Sequence, residues 1–117
     1  MSQQNNHINY IEFKAKDLDA IKTFYTKVFG WVFTDYGPTY ASFEEKESGV
    51  AGGFETTEEE ILNGALVVLY HEDLHKIKSD IITAGGSICI DIFSFPGGKR
   101  FQFKDPSGNE LAIWSDK

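Results

Sequence analysis

Only one cysteine, Cys89, stands in the 117 residues, so no intrachain disulfide is available. Basic residues are scarce: eleven Lys and Arg face eighteen Asp and Glu, a net charge of −7. A chain of that sign without a basic cluster suits no phosphate backbone, so a nucleic-acid partner is not expected. Long apolar runs are missing, and no helical membrane span is expected. The opening residues 1–6 are polar, with neither the positive nor the apolar stretch of a signal peptide. Together with the lone thiol this points to a cytoplasmic setting. Aromatics, by contrast, are plentiful: ten Phe, five Tyr and two Trp make 15% of the chain, enough for a packed core and an aromatic-lined cavity. With 41% hydrophobic and 25% charged residues, disorder is excluded. A small-molecule binder or a small enzyme remains.

Hydrophobic spacing organises the chain. Residues 8–14 alternate, with Ile11 and Phe13 on one face and Tyr10, Glu12 and Lys14 on the other. Asp17 then reads as a helix N-cap, Leu18, Ile21, Phe24, Tyr25, Val28 and Phe29 as its apolar stripe, and Gly30 as its stop. Strands follow at 31–36 and 40–45 around a Gly37-Pro38 turn, then a short glycine-rich strand at 50–54. Residues 55–63 form an acidic linker, in which Thr57 and Glu60 have capping-box spacing.

The pattern then restarts. Residues 64–70 read as a strand, Asp73 as a second N-cap, Leu74, Ile77, Ile81 and Ile82 as a helix face, and Gly85-Gly86 as its end. Strands at 87–95 and 99–104 flank a Pro96-Gly97-Gly98 hairpin turn, and Asp105-Pro106-Ser107-Gly108-Asn109 turns the chain into a last strand at 110–115. Asp17 maps onto Asp73, Leu18 onto Leu74, Ile21 onto Ile77, Lys22 onto Lys78 and Gly30 onto Gly86, all at an offset of 56. This is an internal repeat of a βαβββ unit. The expected fold is α+β: a single domain over 1–117, with module one at about 7–54, a linker at 55–63 and module two at about 64–115. A unit this small cannot bury both faces of its sheet. Two are expected to form a curved, mostly antiparallel eight-stranded sheet with the helices outside and a ligand on the concave face.

Strand parity names the side chains on that face. They are Tyr10 and Glu12 from the first strand; Leu66, Val68 and Tyr70 from the fifth; and Glu110, Ala112 and Trp114 from the last. Arg100 and Gln102 join them if Phe101 and Phe103 face the helix. Arg100 suits a ligand carboxylate, and Glu12 is the candidate catalytic base. Cys89, in a strand-like run, is expected to be a packed, inert thiol. His71-Glu72-Asp73-Leu74-His75 matches a zinc-binding pattern, but with Asp73 as the N-cap the two histidines do not share a helix face, so no zinc is expected there. His7 is expected to be exposed.

Two stretches carry a family resemblance. Asp17-Leu18-Asp19-Ala20-Ile21-Lys22-Thr23-Phe24-Tyr25, followed by Val28-Phe29-Gly30-Trp31, resembles the first helix of the vicinal oxygen chelate superfamily. That group includes glyoxalase I, bleomycin-resistance proteins and extradiol dioxygenases. Phe103-Lys104-Asp105-Pro106-Ser107-Gly108-Asn109-Glu110-Leu111 resembles its closing turn and strand. The resemblance spans roughly 7–115. It implies paired glyoxalase-like modules and usually a homodimer, with lyase, isomerase, dioxygenase or drug-binding activities. In the enzymes it also implies a divalent metal held by His, Glu or Gln from the first and last strand of each module. Counted from the motifs, those positions fall at Tyr10, Leu66, Ala112 and within 50–54, none of which offers a ligand of the family type. The expectation is therefore a small organic molecule bound without the metal and without another cofactor. The alternative is an enzyme of the same superfamily, using either acid–base chemistry or a displaced hard cation held by Glu12 and Glu110. An acidic aromatic groove would also suit a cationic drug such as bleomycin.

Overall fold

Aspartate capping starts both long helices. In the computed structural model, which describes residues 3–117, Asp17 is extended (φ −135°, ψ 104°) and its carboxylate accepts the Ala20 N–H at 3.1 Å. This opens α1 (Leu18–Phe29). Gly30 closes it at φ 74°, a left-handed conformation that a side chain would strain. Asp73 repeats the arrangement: its carboxylate accepts the Lys76 N–H at 3.1 Å and opens a second long helix, Leu74–Thr83. That helix ends at Ala84, so it is two residues shorter than α1 (10 against 12), and Gly85 takes up the positive φ of 105°.

The chain divides into two compact units, one ending at Glu59 and the other beginning at Glu60. In the first unit β1 (Ile11–Ala15), β2 (Phe33–Asp35), β3 (Tyr40–Phe43) and β4 (Gly52–Thr56) form a sheet in the order β1-β4-β3-β2. β1 and β4 run parallel, and the other pairs are antiparallel. A single helical turn, α2 (Glu45–Ser48), lies between β3 and β4. In the second unit β5 (Val67–Tyr70), α3 (Leu74–Thr83), β6 (Ser87–Phe95), β7 (Gly98–Lys104) and β8 (Glu110–Ser115) repeat the plan, with sheet order β5-β8-β7-β6 and a parallel β5–β8 pair. These are the two βαβββ modules that the repeat predicts. Among the described residues no helix is long and apolar enough to cross a membrane.

Three elements differ from the sequence reading for local reasons. The strand expected at 31–36 shrinks to Phe33–Asp35, because the Trp31 N–H is spent on the Tyr25 carbonyl at the end of α1. β5 starts at Val67 rather than Gly64, because the Asn63 side chain already takes the Glu110 N–H at 2.9 Å and donates to the Gly108 carbonyl at 3.1 Å. Thr57 forms a one-residue turn, accepting from the Glu59 N–H at 3.1 Å, and starts no helix.

Each sheet buries one face under its own helix. Ile21, Phe24 and Tyr25 of α1 are fully buried, as are Ala41 and Phe54 of the sheet. Tyr25 stacks on Trp31 at 4.8 Å between ring centroids, and Trp31 lies 4.4 Å from Phe43. Ile77 and Ile81 of α3 are likewise buried, with Phe101, Phe103, Leu111 and Ile113 beneath them. Phe101 and Phe103 thus face the helix side. That parity decides which β7 side chains face the other way.

Candidate functional site

Pairing register lines up the uncovered faces. In the first unit Glu12 pairs with Gly53, and Gly53 with Ser42. Tyr10 precedes β1 and is exposed, its hydroxyl reaching that of Tyr40 at 2.5 Å. Tyr40 is half-buried and donates its own proton to Glu12 Oε1 at 3.0 Å. A phenol has one proton, so Tyr10 is the donor to the Tyr40 oxygen. The result is a directed chain from Tyr10 through Tyr40 to the Glu12 carboxylate. Gly53 makes room for it, since a Cβ there would lie 2.5 Å from the Tyr40 hydroxyl and 2.6 Å from that of Tyr10.

Loss of solvent, and then the bonds to Tyr10 and Glu12, push the Tyr40 ionisation well above the usual phenol range. The folded state therefore holds this proton more tightly than the unfolded chain. The stability it contributes is present below a pH of about 10 and is lost as the pH climbs through the raised value. An ultraviolet difference titration of wild type against Tyr40→Phe checks this. The phenol missing from the variant should be among the last to ionise, and an ionisation near 10 would contradict the arrangement.

In the second unit the register builds two rows. Val68 pairs with Ala112, Ala112 with Gln102 and Gln102 with Ile90; Tyr70 pairs with Trp114, Trp114 with Arg100 and Arg100 with Phe93. Val68, Tyr70, Ile90 and Phe93 are all exposed there, whereas Ala112 is fully buried within the row. Gln102, 7% exposed, accepts from Arg100 Nη2 at 3.0 Å and donates to Glu110 Oε2 at 2.6 Å. The Arg100 guanidinium lies over the Phe93 ring at 5.3 Å. Tyr70 meets Trp114 edge-on at 5.2 Å and donates its hydroxyl to Asp116 at 2.7 Å, which holds the Tyr70 phenol above its ordinary range and the Asp116 carboxyl below.

Each predicted face residue is thus located within its own unit: Tyr10 and Glu12 in the first, and Val68, Tyr70, Arg100, Gln102, Glu110, Ala112 and Trp114 in the second. Leu66 precedes β5 and is half-buried. Sequence reasoning missed Tyr40, whose alternation with buried Ala41 and Phe43 was the available signal. It also missed Ile90 and Phe93, for which no period-two signal exists. Cys89 corrects the expectation of a packed thiol, because the residue is exposed. The register slips between Ile88 and Ile90, leaving Cys89 as the extra residue of a β-bulge. Partial desolvation and the neighbouring Glu110 carboxylate raise its thiol, which keeps it a weak nucleophile. His71 accepts the Asp73 N–H on Nδ1 at 2.9 Å just after β5, while His75 sits in the first turn of α3. His7 is exposed.

The four positions that the resemblance assigns to metal ligands can be read from the pairing. Glu12–Gly53 in the first unit corresponds to Val68–Ala112 in the second, so the position within 50–54 is Gly53. Tyr10, Gly53, Leu66 and Ala112 offer a phenol, a hydrogen, an isobutyl and a methyl group. That set does not fit a divalent cation. Among the described residues no three His, Cys, Asp or Glu side chains come together as a metal site.

Comparison with known proteins agrees with this fold. Residues 7–113 match the family model described as the Glyoxalase/Bleomycin resistance protein/Dioxygenase superfamily. Two mycobacterial proteins, from Mycobacterium bovis and Mycobacterium tuberculosis and provisionally named glyoxylase CFP32, are 25% identical over 118 residues covering 91% of this chain. The chain spans 44% of the length of those relatives. Among solved structures, a glyoxalase/bleomycin resistance protein/dioxygenase family enzyme from Burkholderia phytofirmans PsJN superposes with a TM-score of 0.79 at 17% identity, covering 93% of this chain and 98% of that one. The fosfomycin resistance protein FosX from Listeria monocytogenes gives a TM-score of 0.78 at 13% identity, covering 96% and 94%.

Proposed function

The chain belongs to the glyoxalase/bleomycin resistance protein/dioxygenase superfamily, and from that membership we propose that it binds a small organic molecule on its uncovered sheet faces without the family's divalent metal. One observation carries the reading. The metal positions hold Tyr10, Gly53, Leu66 and Ala112, while the faces around them expose Tyr10, Val68, Tyr70 and Phe93. Such a surface binds by apolar area and aromatic contact and uses a few polar groups for orientation. The family resemblance adds a homodimer to this reading, and the lone thiol of Cys89 a cytoplasmic setting.

A second reading has its own support. The Tyr10–Tyr40–Glu12 chain is a ready path for a proton, with Glu12 as its acceptor. In an acid–base lyase or isomerase, Glu12 would take a proton from bound substrate and the two phenols would connect it to solvent.

One experiment addresses both. Protein purified without chelator is analysed for metals, then screened by thermal shift against a panel of organic compounds. The expected result is substoichiometric Ni, Zn, Fe and Mn, together with compounds that raise Tm whether or not EDTA is present. Stoichiometric metal, or binding that disappears with EDTA, would overturn the metal-free reading. Turnover of a bound compound that Glu12→Gln abolishes would favour the second.

A further inference from the structure

The guanidinium of Arg100 is under-used. It is half-buried and gives one hydrogen bond among the described residues, from Nη2 to Gln102 Oε1, so four of the five N–H groups of a guanidinium have no acceptor among them. Its Nε–H is buried without any partner among the described residues. Leaving a polar group of a charged side chain in that state is costly, and a native protein needs a reason for it.

The want of a partner is not a want of carboxylates. Arg100 is the sole arginine of a chain with eighteen Asp and Glu. Lys14, Lys22, Lys76 and Lys78 all sit in ion pairs, whereas no described carboxylate pairs with Arg100. Glu110 would be the natural counter-ion, but the Gln102 amide stands between the two, its oxygen toward Arg100 and its nitrogen toward Glu110. The cation is aimed instead along an aromatic row, over Phe93 and opposite Trp114.

We propose that Arg100 anchors a monoanionic organic acid, with a carboxylate on the guanidinium and an aromatic or otherwise apolar body lying along Phe93, Trp114 and Ile90. This rests on the proposed small-molecule reading of the same face and specifies its ligand class. A guanidinium meets a carboxylate through two parallel hydrogen bonds, and the idle Nη N–H groups, rather than the buried Nε–H, supply them. One such cation, with Glu110 behind Gln102 and a net charge of −7 on the chain, balances one negative charge; a dianion would keep a charge uncovered. Gln102 and Glu110 are positioning residues, since they hold the fork without meeting the ligand.

The test is isothermal titration calorimetry of the full chain with 1-naphthoate, its neutral amide 1-naphthamide and its cationic amidine. Naphthoate should bind roughly 10- to 100-fold more tightly than the amide, the range of a charge-assisted hydrogen-bonded pair. Arg100→Gln should bring the two to equal affinity, and Arg100→Lys, which keeps the charge but not the fork, should fall between. Circular dichroism checks that both variants are folded, and if Arg100→Gln is not, the Lys variant decides. Equal binding of acid and amide by wild type, or an acid preference unmoved by the variants, overturns the anion anchor and leaves the small-molecule reading standing. Tightest binding of the amidine overturns it in the same way. No saturable binding of any of the three overturns both.

Discussion

Asp105→Ala should lower the melting temperature by about 12–16 °C. The Asp105 side chain is 4% exposed, and its Oδ1 accepts the backbone N–H groups of Ser107, Gly108 and Asn109 at 2.9, 3.0 and 3.0 Å. Its Oδ2 accepts the Asn109 side-chain amide at 3.0 Å. Alanine removes the acceptor from all of these donors, although the Gly108 N–H keeps another, the Asp105 backbone carbonyl at 3.0 Å; each buried donor without a partner costs roughly 1–3 kcal/mol. Some will reach water, so a total of about 3–4 kcal/mol is expected, which for a chain of this length converts to the stated shift. Asp105→Asn keeps an acceptor for the three N–H groups but turns an amide donor toward Asn109, so it should fall between wild type and alanine. Thermal unfolding followed by circular dichroism measures both, and an alanine variant within about 2 °C of wild type would refute the account. The loss should also be felt beyond the turn. This turn sets Lys104 opposite Glu110, and the same register sets Gln102 opposite Ala112 and Arg100 opposite Trp114.

Gly52→Ala should be comparably damaging, by about 3 kcal/mol or more. Gly52 lies on β4, between β1 and β3, paired with Ile11 on one side and Phe43 on the other. A Cβ at this position would collide with the Ile11 carbonyl oxygen and would lie 2.5 Å from the tip of the buried Phe43 ring. The carbonyl is backbone held in the β1–β4 ladder and cannot step aside without opening it. Gly64→Ala is the control, because a Cβ there meets nothing within 4 Å. Chemical denaturation of the pair should show a large drop in midpoint for Gly52→Ala and almost none for Gly64→Ala. Equal midpoints would mean that the β1–β4 pairing tolerates displacement.

These two positions illustrate what was readable in advance. Asp105 belongs to a motif whose turn chemistry is local, and so do the caps Asp17 and Asp73 and the stop Gly30; each was legible because its partners lie within a few residues. Parity was equally legible along the regular strands, so Glu12, Arg100, Gln102 and Trp114 could be assigned to faces before any coordinates. What failed depends on pairing. Tyr40 joins Tyr10 and Glu12 only because β4 brings only a glycine, Gly53, between their strands, and strand order is a long-range property. Ile90 and Phe93 are three residues apart yet share a face, because the register slips between Ile88 and Ile90 and again between Ile90 and Phe93. Period-two counting cannot follow a strand that gains residues. Cys89 was misplaced for the same reason.

Those two slips bear on more than side-chain direction. β6 is the longest strand, nine residues, and it is an edge of its sheet with Ile90 and Phe93 exposed upon it. A straight edge of that length and apolar content is a template on which another chain can add by main-chain pairing, the usual seed of aggregation. Two interruptions break its row of outward N–H and C=O groups into short pieces that no regular strand can match. The irregularity that hides this strand from a sequence reader also hides it from stray strands in a crowded solution.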